Sequence, residues 1–451
     1  MLVNFRRILP LIIGNRLLVI IMYFRLREDR HEVNGRREGL LLLLTVGFVF
    51  TNAATLSLAT DGRLAWSHLW GPLVWAAAVA AAHILLFLFQ PDHDPTYLPL
   101  FALLSGWGLI LVDRLAPNFL GRQVLWVALG TGAMLLLAIL PRNLRFLHRY
   151  RYLWLVGGLL LLASTLLFGV NPSGAGTALW LPFPVPFAGR VYFQPSELLK
   201  LLLVIFLASY FADRDAALRW GQARHGLRGA LPYLAPLLLM WGFCMILLVW
   251  QRDLGAAALY FLVFLALLYL ATSDGRYVLL GLGLLLLAAV VAYFLFDVVA
   301  LRVDAWWNPW PESLGRAFQI VQSLYAVAAG GIAGQGAGQG FPIFIPVVHS
   351  DFVFAAVAEE WGLIGSLGLV AVFMLLAYRG LYSSIRSLRP FRTYLAAGIT
   401  LLFSIQALLI MGGVTKILPL TGVTLPFISY GGSSLLISSI MLGLLIYLST
   451  E

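Results

Sequence analysis

Twelve apolar runs of about twenty residues, at 38–59, 68–90, 97–113, 121–140, 152–169, 195–212, 231–250, 254–271, 277–300, 352–377, 393–413 and 426–448, constrain this chain more than any other feature. A hydrocarbon core about 30 Å thick takes about 20 residues of helix to cross, and a helix satisfies its backbone polar groups within the segment. The two-residue alternation of a membrane barrel is missing. With 61% hydrophobic and 11% charged residues in 451, and a mean hydropathy of +0.91, the expected fold class is an all-α polytopic membrane protein of about twelve transmembrane helices. Its largest loop, 301–351, is expected outside the cytoplasm. The single cysteine, Cys244, lies in an apolar run. It excludes a disulfide within the chain and disfavours a thiolate metal site.

The net charge of +10 comes from arginines clustered in short loops between apolar runs. That is the signature of membrane topology, so no nucleic-acid partner is expected. Twenty-one basic residues fall in alternate loops on one side, eight on the other, and Lys200 alone sits inside a run. With an even number of crossings, this bias puts both termini in the cytoplasm and Asp253, 170–194, 301–351 and 413–425 on the outer face. No G-x-x-x-x-G-K-[ST] sequence occurs. No nucleotide is expected, and ATP-driven transport by this chain alone is disfavoured. Residues 1–37 carry eight arginines, and the apolar piece Leu9–Phe24 is broken by Arg16 without a small-residue cleavage site. The stretch reads as a basic cytoplasmic segment with an interfacial helix rather than a signal peptide.

Trp250-Gln251-Arg252-Asp253-Leu254-Gly255 joins two apolar runs. Lipid has no room for an unpaired Arg and Asp, so this turn lies at a membrane face or lines a watered cavity. The bland alternative is an Asp–Arg pair capping helices. Gln194-Pro195-Ser196-Glu197-Leu198-Leu199-Lys200 opens another run, with Pro and Glu in a first helical turn. Glu197 and Lys200, three apart, share a face. They form either an inward pair beside Asp253 or a helix-start carboxylate with a snorkelling lysine.

The 301–351 loop carries Arg302, Arg316, an aromatic cluster at Trp306-Trp307, and glycines at 330, 331, 334, 336, 338 and 340. Those glycines suit either backbone amides presented to an anion or a pliable lid. His349 and Asp351 stand at the mouth of the next run as cation ligands or as a helix cap. Glu359 and Glu360 inside that run require protein or water partners. Lys416 to Ser434, with two prolines and the Gly431-Gly432 pair, is a broken approach to the last run, of the kind tolerated where backbone lines a cavity. Ser429 lies within it.

In order, these blocks resemble the RodA/FtsW/SpoVE family: Arg114-Leu115-Ala116-Pro117, Gln194–Lys200, Gln251–Gly255, Phe318-Gln319…Gln322-Ser323, His349-Ser350-Asp351-Phe352 and Leu418–Ser434. The family typically has ten spans. The resemblance therefore implies a glycosyltransferase core at 97–451, two extra N-terminal helices at 38–96, and the basic segment 1–37. It also implies a peptidoglycan glycosyltransferase that polymerises lipid II on the outer face of the cytoplasmic membrane, working with a class B penicillin-binding protein. The family's catalytic Asp falls on Asp253, and its Glu-x-x-Lys pair on Glu197 and Lys200. Arg302, Arg316, Lys416, His349, Asp351 and Ser429 are the expected substrate contacts, with Mg2+ or Mn2+ as a possible cofactor. Two blocks depart from the pattern. Arg252 and Ala256 stand where the family commonly has Pro and Thr, and Val347-Val348 and Ser350 stand where it usually has Pro-Glu and Thr. The competing readings are a carrier that flips lipid II and a scaffold without catalysis.

Overall fold

The computed structural model describes residues 5–140, 143–171, 178–185, 189–225 and 227–450, with side chains from residue 33 onward except at 185, 189, 215–231, 233 and 236. The reading of an interfacial helix at 9–24 falls outside the described side chains. Fifteen helices follow the chain: α1 Phe5–Asp61, α2 Trp66–Phe89, α3 Tyr97–Leu115, α4 Leu120–Ile139, α5 Arg145–Arg149, α6 Arg151–Phe168, α7 Pro195–His225, α8 Leu227–Trp250, α9 Leu254–Thr272, α10 Gly275–Leu295, α11 Asp297–Trp307, α12 Phe318–Gly330, α13 Val353–Arg386, α14 Pro390–Val414 and α15 Gly432–Leu448. The chain is an all-α polytopic membrane protein.

Of the twelve expected crossings, ten are helices long and apolar enough to span a bilayer among the described residues. The other two fall on shorter apolar pieces, Leu237–Trp250 and Gly432–Leu448. The last is short because Pro426, Gly431 and Gly432 keep the preceding backbone out of a helix. The run expected at 277–300 is also divided, since Phe296 is extended and α11 starts afresh at Asp297. Between α6 and α7 the structure adds an antiparallel hairpin, β1 Leu181–Val185 with β2 Gly189–Phe193.

Burial sorts the helices into an inner and an outer set. α3, α7 and α14 are largely enclosed, whereas α10 faces almost wholly outward. Apolar surface gains nothing by leaving lipid for another apolar surface, so close backbone approach does the packing. Gly443 of α15 lies against the backbone of Met134 in α4, and Gly130 of α4 against Ser439.

The N-terminal pair is part of this core, and the boundary expected at residue 96 separates helices that pack together. Gly106 of α3 accommodates Val49 and Trp75, whose Nε1 donates to Ser105 Oγ at 3.1 Å. At one membrane end His83 Nδ1 and His93 Nε2 both bond the Glu38 carboxylate, at 2.8 and 2.6 Å. Nearby, Asp94 pairs with Arg379 at 2.5 Å and its N–H donates to Ser449 Oγ. At the opposite end, His68 Nδ1 meets Asp113 at 2.7 Å.

The glycine-rich stretch 330–340 is docked on α13 rather than free: Gln335 N–H donates to Glu359 O and Gly336 N–H to Glu360 O, both at 2.9 Å. Helix α13 kinks at Gly362, which has φ +65°, and a Cβ there would run into the Gly334 amide. The two glutamates serve this joint. Glu359 accepts the Phe341 N–H at 2.7 Å, and Glu360 pairs with Arg114 Nε at 3.0 Å.

Candidate functional site

The irregular segment between α14 and α15 decides where the site lies, because polar groups from four separate parts of the chain meet on it. Asp253 caps α9, with Oδ1 accepting the Ala256 N–H at 3.3 Å. The preceding Arg252 takes φ +59°, which turns the chain sharply out of α8 and directs its own side chain outward. A Cβ at Gly255 would strike the Thr421 carbonyl oxygen, so only glycine lets the start of α9 sit against this segment. Asp253 Oδ2 is buried with no hydrogen bond from the protein, and the same holds for Thr421 Oγ1. Burial raises the Asp253 carboxyl above the usual range, aided by the Glu197 charge and opposed by the Ala256 N–H, Ser196 and Arg302.

Arg302 reaches in from α11 and donates through Nη1 to Thr421 O at 3.0 Å. Its guanidinium lies beside Gly422, as does the Asp351 carboxylate, and its charge acts on both Asp253 and Asp351. Asp351 accepts from Ser350 Oγ at 2.7 Å. Burial pushes its carboxyl up to about 6, against the pull of Ser350 and Arg302. Ser429 is a structural tie here: it accepts the Leu425 N–H at 2.9 Å and donates to Ser350 O at 2.7 Å. The His349 ring packs with Phe119 and Tyr430 rather than with Asp351, and burial lowers its pKa.

Glu197 and Lys200 are an inward pair, 2.5 Å apart, with Lys200 only 2% exposed. The snorkelling alternative is therefore ruled out by the geometry. Lys416, with φ +61°, turns the chain out of α14 and offers its carbonyl to Trp306 Nε1 at 3.2 Å. Arg316 is not brought to the site. It is 75% exposed and lies 4.0 Å from Glu312, its neighbour one turn back.

Several residues here have no motif of charge to mark them. Ser196 lies near Asp253 and favours its carboxylate, accepts from Gln194 Nε2 at 3.0 Å, and receives the Tyr260 hydroxyl at its carbonyl. The serines after the Gly pair are also engaged. Gln194 N–H donates to Ser433 Oγ at 3.0 Å, and Ser434 shares a bond with Thr424 at 2.8 Å. A separate cavity of about 910 Å3 opens among α12, α13 and α14, walled by Phe354, Leu367, Phe373, Met374 and Leu408. Its walls suit hydrocarbon, and none of Asp253, Arg302 or Asp351 lines it.

An acid with a free buried oxygen, an inward-turned guanidinium and a paired lysine, together with ten helices long and apolar enough to cross a bilayer among the described residues, define a multi-pass membrane protein with a polar candidate site in its bundle. Residues 98–451 match the family described as cell cycle protein, FtsW/RodA/SpoVE, and the chain belongs to that family. It is 36% identical over 430 residues to the peptidoglycan glycosyltransferase RodA of Mycobacterium tuberculosis, covering 92% of this chain and 90% of that protein. A match of that extent takes in part of the N-terminal helices as well. The probable peptidoglycan glycosyltransferase FtsW of Geobacter metallireducens is 36% identical over 338 residues, covering 74% of this chain and 85% of that one.

Among solved structures, one described as the structural coordination of polymerization and crosslinking by a peptidoglycan synthase complex matches with TM-score 0.64 and 30% identity. It covers 79% of this chain and 97% of its own. The rod shape determining protein RodA of Thermus thermophilus matches with TM-score 0.56 and 27% identity, covering 79% and 96%.

Proposed function

We propose that this chain is a peptidoglycan glycosyltransferase that polymerises lipid II into glycan strands at the outer face of the bacterial cytoplasmic membrane, with both termini in the cytoplasm. The observation that carries the proposal is the free, buried Asp253 Oδ2 beside Arg302. Chain growth needs a sugar 4-hydroxyl to attack an anomeric carbon while undecaprenyl diphosphate leaves. The hydroxyl proton passes to Asp253 Oδ2, a general-base contribution of about 10²–10⁴-fold. The new C–O bond forms as the bond to the diphosphate oxygen breaks, and the charge on that leaving group is met by Arg302. Glu197 and Lys200 hold the charge balance behind Asp253, and Asp351 keeps Arg302 in place. Lys416 is the further cation at the same edge. A position at the lipid–water boundary suits a substrate with a prenyl tail and a hydrated glycan.

The similarity to a peptidoglycan synthase complex supports a class B penicillin-binding protein as the partner that crosslinks the product. Among the described residues no group of three His, Cys, Asp or Glu side chains could hold a metal ion. Mg2+ or Mn2+, where present, would be held with the substrate's diphosphate and would help to neutralise its charge. Polymerisation measured in EDTA and then in added Mg2+ or Mn2+ tests this.

The deciding experiment gives purified protein lipid II, with and without the partner. A ladder of glycan products is the expected result. Translocation of lipid II without products would identify a carrier, and neither activity would leave a scaffold. The pH profile should follow the acids. Asp253 works as its carboxylate, and both it and Asp351 have raised pKa values, Asp351 to about 6. The rate is expected to fall with falling pH, starting above the range of an ordinary carboxylate, and to be regained as the pH rises. A rate that stays flat down to pH 4 would contradict this assignment.

A further inference from the structure

We infer that Gln406 is a positioning residue for the transfer reaction, a side chain that ties the Glu197–Lys200 pair to the irregular segment against which Asp253 rests. This inference rests on the function proposed above. Gln406 lies in the middle of α14, in an apolar run, and is 1% exposed. Its Oε1 accepts from Lys200 Nζ at 3.3 Å, and its Nε2 donates to Thr424 O at 2.7 Å. Both ends of the amide are therefore spent, one on a buried cation of α7 and one on the backbone of the 415–431 segment. Three residues before Thr424, Thr421 abuts Gly255 at the start of α9 and accepts from Arg302. One amide thus links Lys200 to the same strip of backbone that sets the position of Asp253 and Arg302.

The geometry requires such a link. An ammonium 2% exposed inside a membrane span is tolerated only with partners in fixed positions, and Lys200 is held by Glu197 and Gln406. A lysine stem has four rotatable bonds, so one carboxylate leaves its head free to swing about that contact. A second acceptor on a different helix fixes it. The segment 415–431 has no regular ladder of its own, and a donor aimed at Thr424 O gives it one fixed point inside the bundle.

The charged and titratable groups around Asp253 are Glu197 and Lys200 from α7, Arg302 from α11 with Asp351 beyond it, and Tyr260 from α9 itself. Of these, Glu197 opposes ionisation of Asp253 and Arg302 favours it. Lys200, held on Glu197, offsets the opposing charge. Releasing Lys200 leaves Glu197 less compensated, so Asp253 takes up its proton at higher pH.

The test is a double-mutant cycle on the full chain with lipid II, reading kcat, KM and the acid limb of the pH profile for wild type, Gln406→Met, Lys200→Met and the double variant. Gln406→Met is expected to lower kcat about tenfold with KM little changed, and to move the acid limb to higher pH. In the Lys200→Met background its effect should shrink to what the lost bond to Thr424 O alone contributes, because one of its two targets has gone. Gln406→Glu keeps an acceptor for Lys200 and should remain active at alkaline pH, which covers the case of a Gln406→Met protein that does not fold. An acid limb unmoved in Gln406→Met, effects that multiply with those of Lys200→Met, or a Gln406→Glu protein as inactive as a folded Gln406→Met overturns the inference. Wild-type protein that makes no glycan overturns the underlying function instead.

Discussion

Asp253→Asn should yield a folded protein that makes no glycan chains from lipid II. Asn has the same shape and caps a helix as well as Asp, so the bond from the Ala256 N–H to the side-chain oxygen is kept. What is lost is the ability to take a proton, because an amide is not a base near neutral pH. The side-chain atom that carries the reaction, Oδ2, bonds nothing in the protein and so has no structural duty to lose. A drop of at least about 10²–10⁴-fold in polymerisation is expected, with the melting temperature within a few degrees of wild type. Product ladders read on gels and a thermal melt measure both. Normal polymerisation by a folded Asp253→Asn protein would remove this residue from the mechanism.

The second large effect belongs to Arg302. Its guanidinium bonds Thr421 O and is the cation that favours ionisation of both Asp253 and Asp351. Arg302→Met keeps much of the stem's volume and removes the charge. Both carboxyls then rise further, since burial is opposed only by the remaining hydrogen-bond donors, and a smaller fraction of Asp253 is ionised at neutral pH. The leaving diphosphate also loses its nearest cation. A loss of about 10²–10³-fold at neutral pH is expected, the size seen when one preorganised donor is removed from a transition state. Part of that loss should return at higher pH, where Asp253 ionises again. The part due to the leaving group should not. Arg302→Lys keeps the charge without the planar fork and should fall between the two. A variant with the wild-type rate and pH midpoint would show that Arg302 only braces the segment.

Asp253 was legible before any coordinates because an Arg and an Asp between two apolar runs violate the solvent rules of a bilayer, and a violation of that kind draws attention to itself. Glu197 and Lys200 were legible for the same reason, and their spacing gave the pairing. Arg316 carried the same charge signal as Arg302, yet only Arg302 points inward. Charge marks a residue as costly in lipid but says nothing about direction in a loop that lies in water. The glycine stretch 330–340 was ambiguous because pliability and close packing leave the same composition, and only the amides bonded to α13 separate the two. Ser196, Thr421 and Gln406 were missed altogether. An uncharged polar residue in a membrane helix reads the same whether it bonds its own backbone, as Thr400 bonds Ala396 O, or a lysine on another helix, as Gln406 does.

The sequence by itself determined that this chain is a bundle of membrane-spanning helices, and it singled out Asp253 as a costly acid between two of them. These follow from local rules: the length of an apolar run, the placement of arginines, and the cost of charge in hydrocarbon. Tertiary structure alone decided that the 415–431 segment is the surface on which those groups meet, that α1 and α2 are packed into the core, and that Arg316 stands apart. Such outcomes depend on contacts between residues hundreds of positions apart, Lys200 with Gln406 or Tyr192 with Ser433. No pattern along the chain encodes them, because each contact exists only once the helices have chosen their neighbours.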